Sequence, residues 1–294
     1  MFRTLRYILF NINEAKKGCE IYKKLKKESG DAVICVNQHS SLGDAYLMSL
    51  YLPQYFKNRK YIVTAIGEPS AGVFKYMGIH NVSVITQRET EQLIAFARVN
   101  GIREDTIKIL HHQAHKWHIG IAWQFQGAYG LNFADLIEAV VFKGLTRQDR
   151  RYPARCEADE TEFSKKGLVK GNSIILFPYA NTLDVPPIEY WRKIVEEKKT
   201  LGKKVFTHIW KDEKPIEGTD GICLELNELT AAAEYAGEII CVRNGLADIL
   251  SSADCKKTII YPPGGSEGWM HGTLMDFWSI NGFGYCSDAE EIIF

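Results

Sequence analysis

The chain has 294 residues and equal numbers of acidic and basic residues, so its formal net charge at pH 7 is zero. This balance provides no basic field of the kind that nucleic-acid binding needs. Hydrophobic content of 46% and charged content of 24% are ordinary for a soluble globular protein, and the length predicts one large or two medium domains. No apolar run is long enough for a transmembrane helix, and the apolar stretch YILFNI is too short for a signal peptide.

The seven cysteines are scattered, and no two of them form a CxxC pair. Several lie in apolar runs, which is typical of reduced thiols in a cytosolic protein and unlike a disulfide framework or a zinc site. We therefore expect a cytoplasmic protein. The cysteines are Cys19, Cys35, Cys156, Cys223, Cys241, Cys255 and Cys286.

Residues 2 to 28 are predicted to form one amphipathic helix, with apolar residues at helical spacing from Leu5 to Leu25. Its second half is basic, with lysines at 16, 17, 23, 24, 26 and 27. A basic amphipathic helix can rest on an anionic membrane surface or pack on a domain with its lysines in water. We favour packing and keep peripheral membrane contact as the alternative.

The first half of the chain alternates strands and helices. Strands are predicted at residues 32–36, 61–65, 82–85 and 106–110, with helices between them. This rhythm predicts a parallel sheet with helices on both faces. The loop after the first strand contains His39, Ser41, Gly43 and Asp44, which we assign to a site. Gly43 would let the backbone approach a ligand, whereas capping of the next helix is the alternative role of Asp44.

Four of the eight histidines lie close together at positions 111, 112, 115 and 118. Their spacing is compatible with zinc, but the cluster contains no carboxylate or cysteine. A segment that contacts substrate is the favoured interpretation, and we assign no metal.

A polar stretch from Arg147 to about Gly171 is predicted to be an interdomain linker, and the strand–helix rhythm then restarts. The tail from Thr273 to Phe294 is predicted to be a helix that packs back. The fold class is therefore α/β with two Rossmann-like domains, residues 1–160 and 161–294. Neither carries GxGxxG or GxxxxGK[ST], which argues against a dinucleotide dehydrogenase and a P-loop NTPase.

Residues 238–263 are predicted to form a strand, a loop at Arg243-Asn244-Gly245, a helix and a second strand. A glycine loop between a strand and a helix is a common phosphate site, because free amides and the helix dipole both point at the ligand. Arg243 could add a bidentate donor to phosphate. The alternative is that Gly245 is a turn glycine and Arg243 a surface cap.

Three segments together resemble the ADP-heptose lipopolysaccharide heptosyltransferases, glycosyltransferase family 9. They are ICVNQHSSLGDAYLMSLYL, the segment SIILFPYAN with its following helix PPIEYWRKIVEEKKTLGKKVF, and LELNELTAAAEYAGEIICVRNGLADILSSADCKKTIIYP. The resemblance runs serially over most of the chain. It implies the GT-B fold, in which two Rossmann-like domains face each other across a cleft, and inverting, metal-independent chemistry. The first domain would bind the acceptor and the second the sugar nucleotide.

The resemblance also implies residue roles. Asp44 matches the aspartate proposed as the general base that deprotonates the acceptor hydroxyl. Gly245 and Leu246 match the pair that opens the nucleotide-binding helix. His39, Ser41 and Gly43 fall in the acceptor loop.

The chain departs from the family pattern at several positions. Arg243-Asn244 replaces Asp-Thr, Asp248 replaces a histidine, and Asn181-Thr182 occupies a loop that usually carries a lysine. We interpret Arg243 as the substitute for that lysine at the diphosphate and assign Asn244, Asp248, Asn181 and Thr182 to the same donor site.

The function expected from this resemblance is transfer of a sugar from a nucleoside diphosphate sugar to a hydroxyl of a cell-surface glycan or glycolipid precursor. No cofactor is expected, because the sugar nucleotide is itself the substrate. A nucleotide-sugar epimerase of similar fold and a non-catalytic sugar-nucleotide-binding protein are the alternatives.

Overall fold

The computed structural model describes residues 2–101, 103–111, 129–154, 160–181, 183–264 and 272–294, with side chains from residue 12 onward. The chain divides into two compact units. The first comprises Met1–Gln124 and Ala134–Pro153, and the second comprises Phe125–Phe133 and Ala154–Phe294. Each unit is built on its own parallel sheet, which confirms the predicted α/β class with two Rossmann-like halves.

The first unit has a four-stranded sheet in the order β3-β2-β1-β4, in which every neighbouring pair is parallel. All four strands lie where the apolar runs predict them. Its elements are α1 (Phe2–Ser29), β1 (Val33–Asn37), α2 (Leu42–Tyr55), β2 (Tyr61–Ile66), α3 (Gly67–Tyr76), β3 (Val82–Ile85), α4 (Gln87–Val99), β4 (Ile107–Leu110) and α5 (Phe133–Val140).

The long helix α1 packs along α4. Ala15 and Leu25 are buried in a cluster with Leu93 of α4, and the Tyr22 and Phe96 rings lie 5.1 Å apart. The favoured prediction, that this helix packs on a domain, is therefore confirmed for the described side chains. In the described part of the chain, no helix has the length and apolar character needed to cross a membrane.

At Gly18, α1 approaches α4 closely. A Cβ atom at this position would lie 2.0 Å from the carbonyl oxygen of Gln92 and 2.8 Å from Cβ of Phe96. Backbone cannot move aside as a flexible side chain can, so Gly18→Ala must separate the helices. We expect a loss of about 2–3 kcal/mol in the free energy of unfolding. Denaturant unfolding should show it, with Lys24→Ala on the exposed side of α1 unchanged.

The second unit has a six-stranded, fully parallel sheet in the order β10-β9-β8-β5-β6-β7. With β5 counted as strand 1 and the sheet read from β7 to β10, this is the 3-2-1-4-5-6 order of dinucleotide-binding folds. Its elements are α6 (Glu160–Lys165), β5 (Ser173–Phe177), α7 (Ile188–Thr200), β6 (Lys204–His208), β7 (Asp220–Ile222), α8 (Leu229–Ala236), β8 (Gly237–Val242), α9 (Gly245–Leu250), β9 (Lys256–Tyr261), α10 (Leu274–Trp278) and β10 (Glu290–Ile293).

The structure differs from the sequence-based prediction in the linker. Part of the predicted linker is the helix α6, because Phe163 is buried against the Tyr235 ring, 5.7 Å between centroids. This helix lies in the second unit, which contains Ala154–Phe294.

The predicted C-terminal helix is wrong for most of its length. Only Leu274–Trp278 is helical, and Glu290–Ile293 forms a sixth strand paired in parallel with β9. Strand pairing is favoured because Ile292 and Phe294 can then pack against the apolar cluster that contains Ile240 and Ile260.

Candidate functional site

Each sheet has one position where the strand order reverses. In the first unit it lies between β1 and β4, and in the second between β5 and β8. Connections leave in opposite directions there, so the loops at the carboxyl ends of the two strands diverge and leave a crevice in which ligands bind. These two strand ends are therefore the candidate sites, and they carry His39, Ser41 and Asp44 in one unit and Asn181 and Arg243 in the other.

Hydrogen bonds join the loops that border the crevice of the second unit. Asn244 donates from Nδ2 to the carbonyl of Tyr179, 2.7 Å away, which ties the loop after β8 to the loop after β5. Its Oδ1 accepts from the amides of Leu246 and Ala247 at 2.9 and 3.1 Å and caps α9. The hydroxyl of Tyr179 donates to the carbonyl of Lys214 in the loop after β6. Three consecutive carboxyl-end loops are thus fixed relative to one another.

Arg243 and Asp248 form a buried ion pair beneath this crevice. The guanidinium binds both carboxylate oxygens, at 2.9 Å from Nη1 and 2.8 Å from Nη2. Nη1 also donates to the carbonyl of Asn244 at 2.7 Å, and Nε donates to the carbonyl of Trp278 at 2.8 Å. Arg243 and Asp248 are only 6% and 2% exposed. The ion pair therefore stabilises the loop after β8 from its buried side.

The electrostatics of this pair follow from its burial. Burial works to lower the pKa of the Arg243 guanidinium, but Asp248 and Tyr261 outweigh it, and that pKa lies above its ordinary value. The hydroxyl of Tyr261 donates to the carboxylate of Glu291, which also accepts from the Ser279 hydroxyl at 2.7 Å. Arg243 and Tyr261 both donate to the carbonyl of Trp278, so the loop after β8 is anchored to the C-terminal segment through Arg243.

This geometry does not support Arg243 as a direct phosphate donor. At least four of its five N–H groups are already committed to Asp248, Asn244 and Trp278. A phosphate could bind the guanidinium only by displacing a buried carboxylate, which is costly. Asp248 is likewise a buried partner of Arg243 and not a surface residue that could contact the sugar nucleotide. We reassign both as positioning residues.

The amides predicted to hold phosphate are also partly engaged, because Asn244 accepts from the amides of Leu246 and Ala247. Asn181 is exposed on the loop after β5, and Gly245 and Leu246 are half-buried on the loop after β8. Thr182 lies outside the described residues. Asn181, Asn244, Gly245 and Leu246 therefore remain as the candidate ligand-facing residues.

At the crevice of the first unit, Asn37 ends β1 and binds two neighbours. Its Nδ2 donates to the carbonyl of His39 at 2.8 Å and to the hydroxyl of Ser70 in α3 at 3.2 Å. The His39 ring meets the His111 ring edge to face, with centroids 4.3 Å apart. The structure thus brings the ends of β1 and β4 together through His39 and His111.

Asp44 lies in the first turn of α2, three residues after the N-cap Ser41. The Ser41 hydroxyl accepts from the amide of Asp44 at 3.4 Å, so Ser41 is the N-cap of α2 and Asp44 contributes its backbone amide to that cap. Asp44 is half-buried, and Ser41 is exposed. A carboxylate in this position is stabilised by the helix dipole and can still receive a proton from a bound hydroxyl.

Gln38 supplies a further polar group at this edge. Its Oε1 is buried and accepts no hydrogen bond from any residue that the structure describes. His112, His115 and His118 lie outside the described residues, so the histidine-cluster hypothesis rests on His111 alone. No group of three metal-ligating side chains occurs within the described ranges.

Sequence reasoning missed the residues that fix the loops. Tyr179, Asn37 and Ser70 have no motif and act through one or two hydrogen bonds. His208 was also missed, although it ends β6 and stacks on Phe177 with ring centroids 5.0 Å apart. Tyr179, Asn37 and His208 lie at or just after the carboxyl end of a predicted strand, and this position could have identified them as site residues. No such signal exists for Ser70.

Burial lowers the pKa of His208 below its ordinary 6.5, against smaller opposing effects of its bond to Leu224 and of Glu213. The unfolded chain therefore takes up the proton first as pH falls, so the stability present above pH 6.5 is lost as pH decreases through the lowered pKa. We expect the melting temperature to fall between pH 7.5 and 5.5, and to fall less in His208→Gln. The exposed His80→Gln should behave as wild type; an equal fall in all three proteins would contradict this assignment.

No protein-family model matches the chain, and no curated protein matches it at a significant level. Among solved structures, the chain is similar to a family 9 glycosyltransferase from Veillonella parvula, with 16% identity and a TM-score of 0.53 over 90% of this chain and 87% of the other. It is also similar to ADP-heptose lipopolysaccharide heptosyltransferase II of Escherichia coli, with 14% identity and a TM-score of 0.55 over 88% and 90%.

A third similar structure is the iron-containing dodecameric glycosyltransferase TibC of enterotoxigenic E. coli, with 13% identity and a TM-score of 0.51. That match covers 83% of this chain and 61% of the other. These identities are low, and the similarity establishes the fold. It confirms the fold resemblance to family 9 heptosyltransferases that the three sequence segments indicate.

Proposed function

We propose that this chain is a glycosyltransferase that moves a sugar from a nucleoside diphosphate sugar to a hydroxyl of a cell-surface glycan or glycolipid precursor. The observation that carries the proposal is the six-stranded sheet of the second unit, with its 3-2-1-4-5-6 order and its loops tied across the reversal point by Asn244 and Tyr179. This is the position where such sheets bind nucleotides. The fold similarity to glycosyltransferases of family 9 supports the choice of reaction.

The donor would bind at the crevice of the second unit. Asn181 and Gly245 lie on the two loops that border it, and the backbone of the loop after β8 would approach the diphosphate. Arg243 would contribute to donor binding indirectly, because its buried ion pair with Asp248 fixes the conformation of that loop. Preformed donors of this kind stabilise the charge of a leaving diphosphate without reorganisation during the reaction.

The acceptor would bind at the loop after β1, near His39, Ser41 and Gly43. The oxygen of the acceptor hydroxyl would attack the anomeric carbon of the donor sugar, and Asp44 would accept the proton of that hydroxyl. The bond from that carbon to the diphosphate breaks, and the nucleoside diphosphate leaves with the electron pair. Attack from the face opposite the leaving group inverts the anomeric configuration.

A thermal-shift screen with nucleoside diphosphates and their sugars tests the donor first. A ligand that binds only the folded state raises the melting temperature by mass action. The donor so found is then incubated with truncated lipopolysaccharide and other glycan precursors, and release of nucleoside diphosphate is measured. Release that depends on acceptor and survives a metal chelator is the expected result.

The same experiment separates the alternatives. Conversion of the donor sugar without an acceptor would indicate an epimerase or a hydrolase. Tight binding of a sugar nucleotide without turnover across the whole acceptor panel would indicate a binding protein. Absence of any shift with every nucleotide would contradict the proposal.

A glycolipid acceptor would bring the enzyme to a membrane surface. Exposed lysines of α1 at positions 16, 17, 23, 24 and 27 could bind anionic lipid headgroups while the opposite side of the helix packs on α4. Co-sedimentation with anionic vesicles at low salt, and none with neutral vesicles, is the result this contact predicts.

A further inference from the structure

Trp210 is exposed immediately beyond the carboxyl end of β6. It is 46% exposed, whereas Trp191 is buried and Trp278 half-buried, so it is the one exposed tryptophan in the part of the chain that the structure describes. Leaving a large aromatic ring in water forgoes the free energy of its burial. Trp210 lies next to the candidate crevice, so stacking on a bound ligand would explain why its ring is exposed.

The loop that carries Trp210 is held in one conformation. The amide of Trp210 donates to the carboxylate of Glu213 at 2.8 Å, and the amide of Glu213 donates back to the carbonyl of Trp210 at 3.2 Å. Lys211 between them has a φ of +54°, which is uncommon outside glycine and needs such support. The ring is therefore presented on a compact turn.

A short chain of contacts connects this turn to the candidate donor site. Lys214, four residues after Trp210, accepts a hydrogen bond from the hydroxyl of Tyr179. Tyr179 in turn accepts from the side chain of Asn244. Beneath the turn, His208 stacks on Phe177 and binds the carbonyl of Leu224 at 3.3 Å, which packs the strand ends together.

We propose that Trp210 is the stacking surface for the nucleobase of the sugar nucleotide, an inference that rests on the proposed function. The loops after β5 and β8 face the diphosphate in that proposal, and the loop after β6 lies on the far side of β5 from β8. A nucleotide whose diphosphate lies at the reversal point and extends over the end of β5 places its base at the end of β6. Aromatic stacking on a base tolerates any base but favours the larger purines.

Calorimetry with ADP, GDP, UDP and inorganic pyrophosphate tests this role on the full chain. We expect Trp210→Ala to weaken binding of the nucleoside diphosphates about 10-fold to 100-fold. Trp210→Phe should retain most of the affinity, and pyrophosphate, which has no base, should bind both variants as it binds wild type. Leu201→Ala, an exposed apolar residue at the opposite end of the same sheet, is the matched control.

The outcomes are distinguishable. Wild type that binds nucleoside diphosphates together with an unchanged Trp210→Ala would overturn the stacking role and leave the proposed function standing. An equal loss for pyrophosphate would also overturn it, because the substitution would then act on the loop and not on the base. Wild type that binds none of the four ligands would overturn the proposed function itself.

Discussion

Replacing Arg243 with alanine is expected to destabilise the second unit by about 3–5 kcal/mol. The substitution leaves the Asp248 carboxylate, which is 2% exposed, without the two guanidinium bonds that offset its burial. It also removes the bond to the Trp278 carbonyl that anchors the C-terminal segment. Denaturant unfolding followed by near-ultraviolet circular dichroism measures the change.

A double variant separates loss of the pair from loss of packing. Arg243→Met with Asp248→Leu replaces both charges by apolar side chains of similar size, and it should recover much of the lost stability, since no buried charge then lacks a partner. A stability of Arg243→Ala within about 1 kcal/mol of wild type, with weaker binding of nucleoside diphosphate, would instead restore the direct phosphate role.

Asp44→Asn is expected to reduce glycosyl transfer by about 100-fold to 10,000-fold. An amide keeps the shape of the side chain but cannot accept the acceptor proton. The Ser41 cap involves the backbone amide of residue 44, so folding should be preserved. Initial rates at saturating donor, with donor affinity measured in parallel, check the expectation.

Glu68→Gln is the matched control for this variant. Glu68 occupies the first turn of α3, at the same edge of the same sheet, and is exposed. It should retain wild-type activity if the effect belongs to Asp44. Full activity of Asp44→Asn would remove the residue from the mechanism.

Much of the fold could be predicted because buried parallel strands are continuous apolar runs. The segments IILF before Pro178 and IICV before Arg243 form most of β5 and most of β8. The strand β10 could not be predicted in this way. Its sequence EEII is short and charged, and only its partner β9 and the cluster around Ile260 make the strand favourable.

The candidate site was predictable in position but not in detail. Strand ends and the loop glycine identified the edges that carry Asp44 and Gly245. The role of Arg243 depends on which groups surround it after folding, and a surface donor and a buried ion pair look alike in sequence. A charge of opposite sign at Asp248, inside an otherwise apolar segment, was the available sign of internal pairing.

Hydrogen–deuterium exchange with and without a saturating nucleoside diphosphate tests the central claim most directly, namely that the reversal point of the second sheet binds the donor. The account predicts protection of residues 178–181 and 243–248, the two segments joined by Tyr179 and Asn244. Protection of the loop after β1 alone, or unchanged exchange at both segments of the second unit, would contradict it.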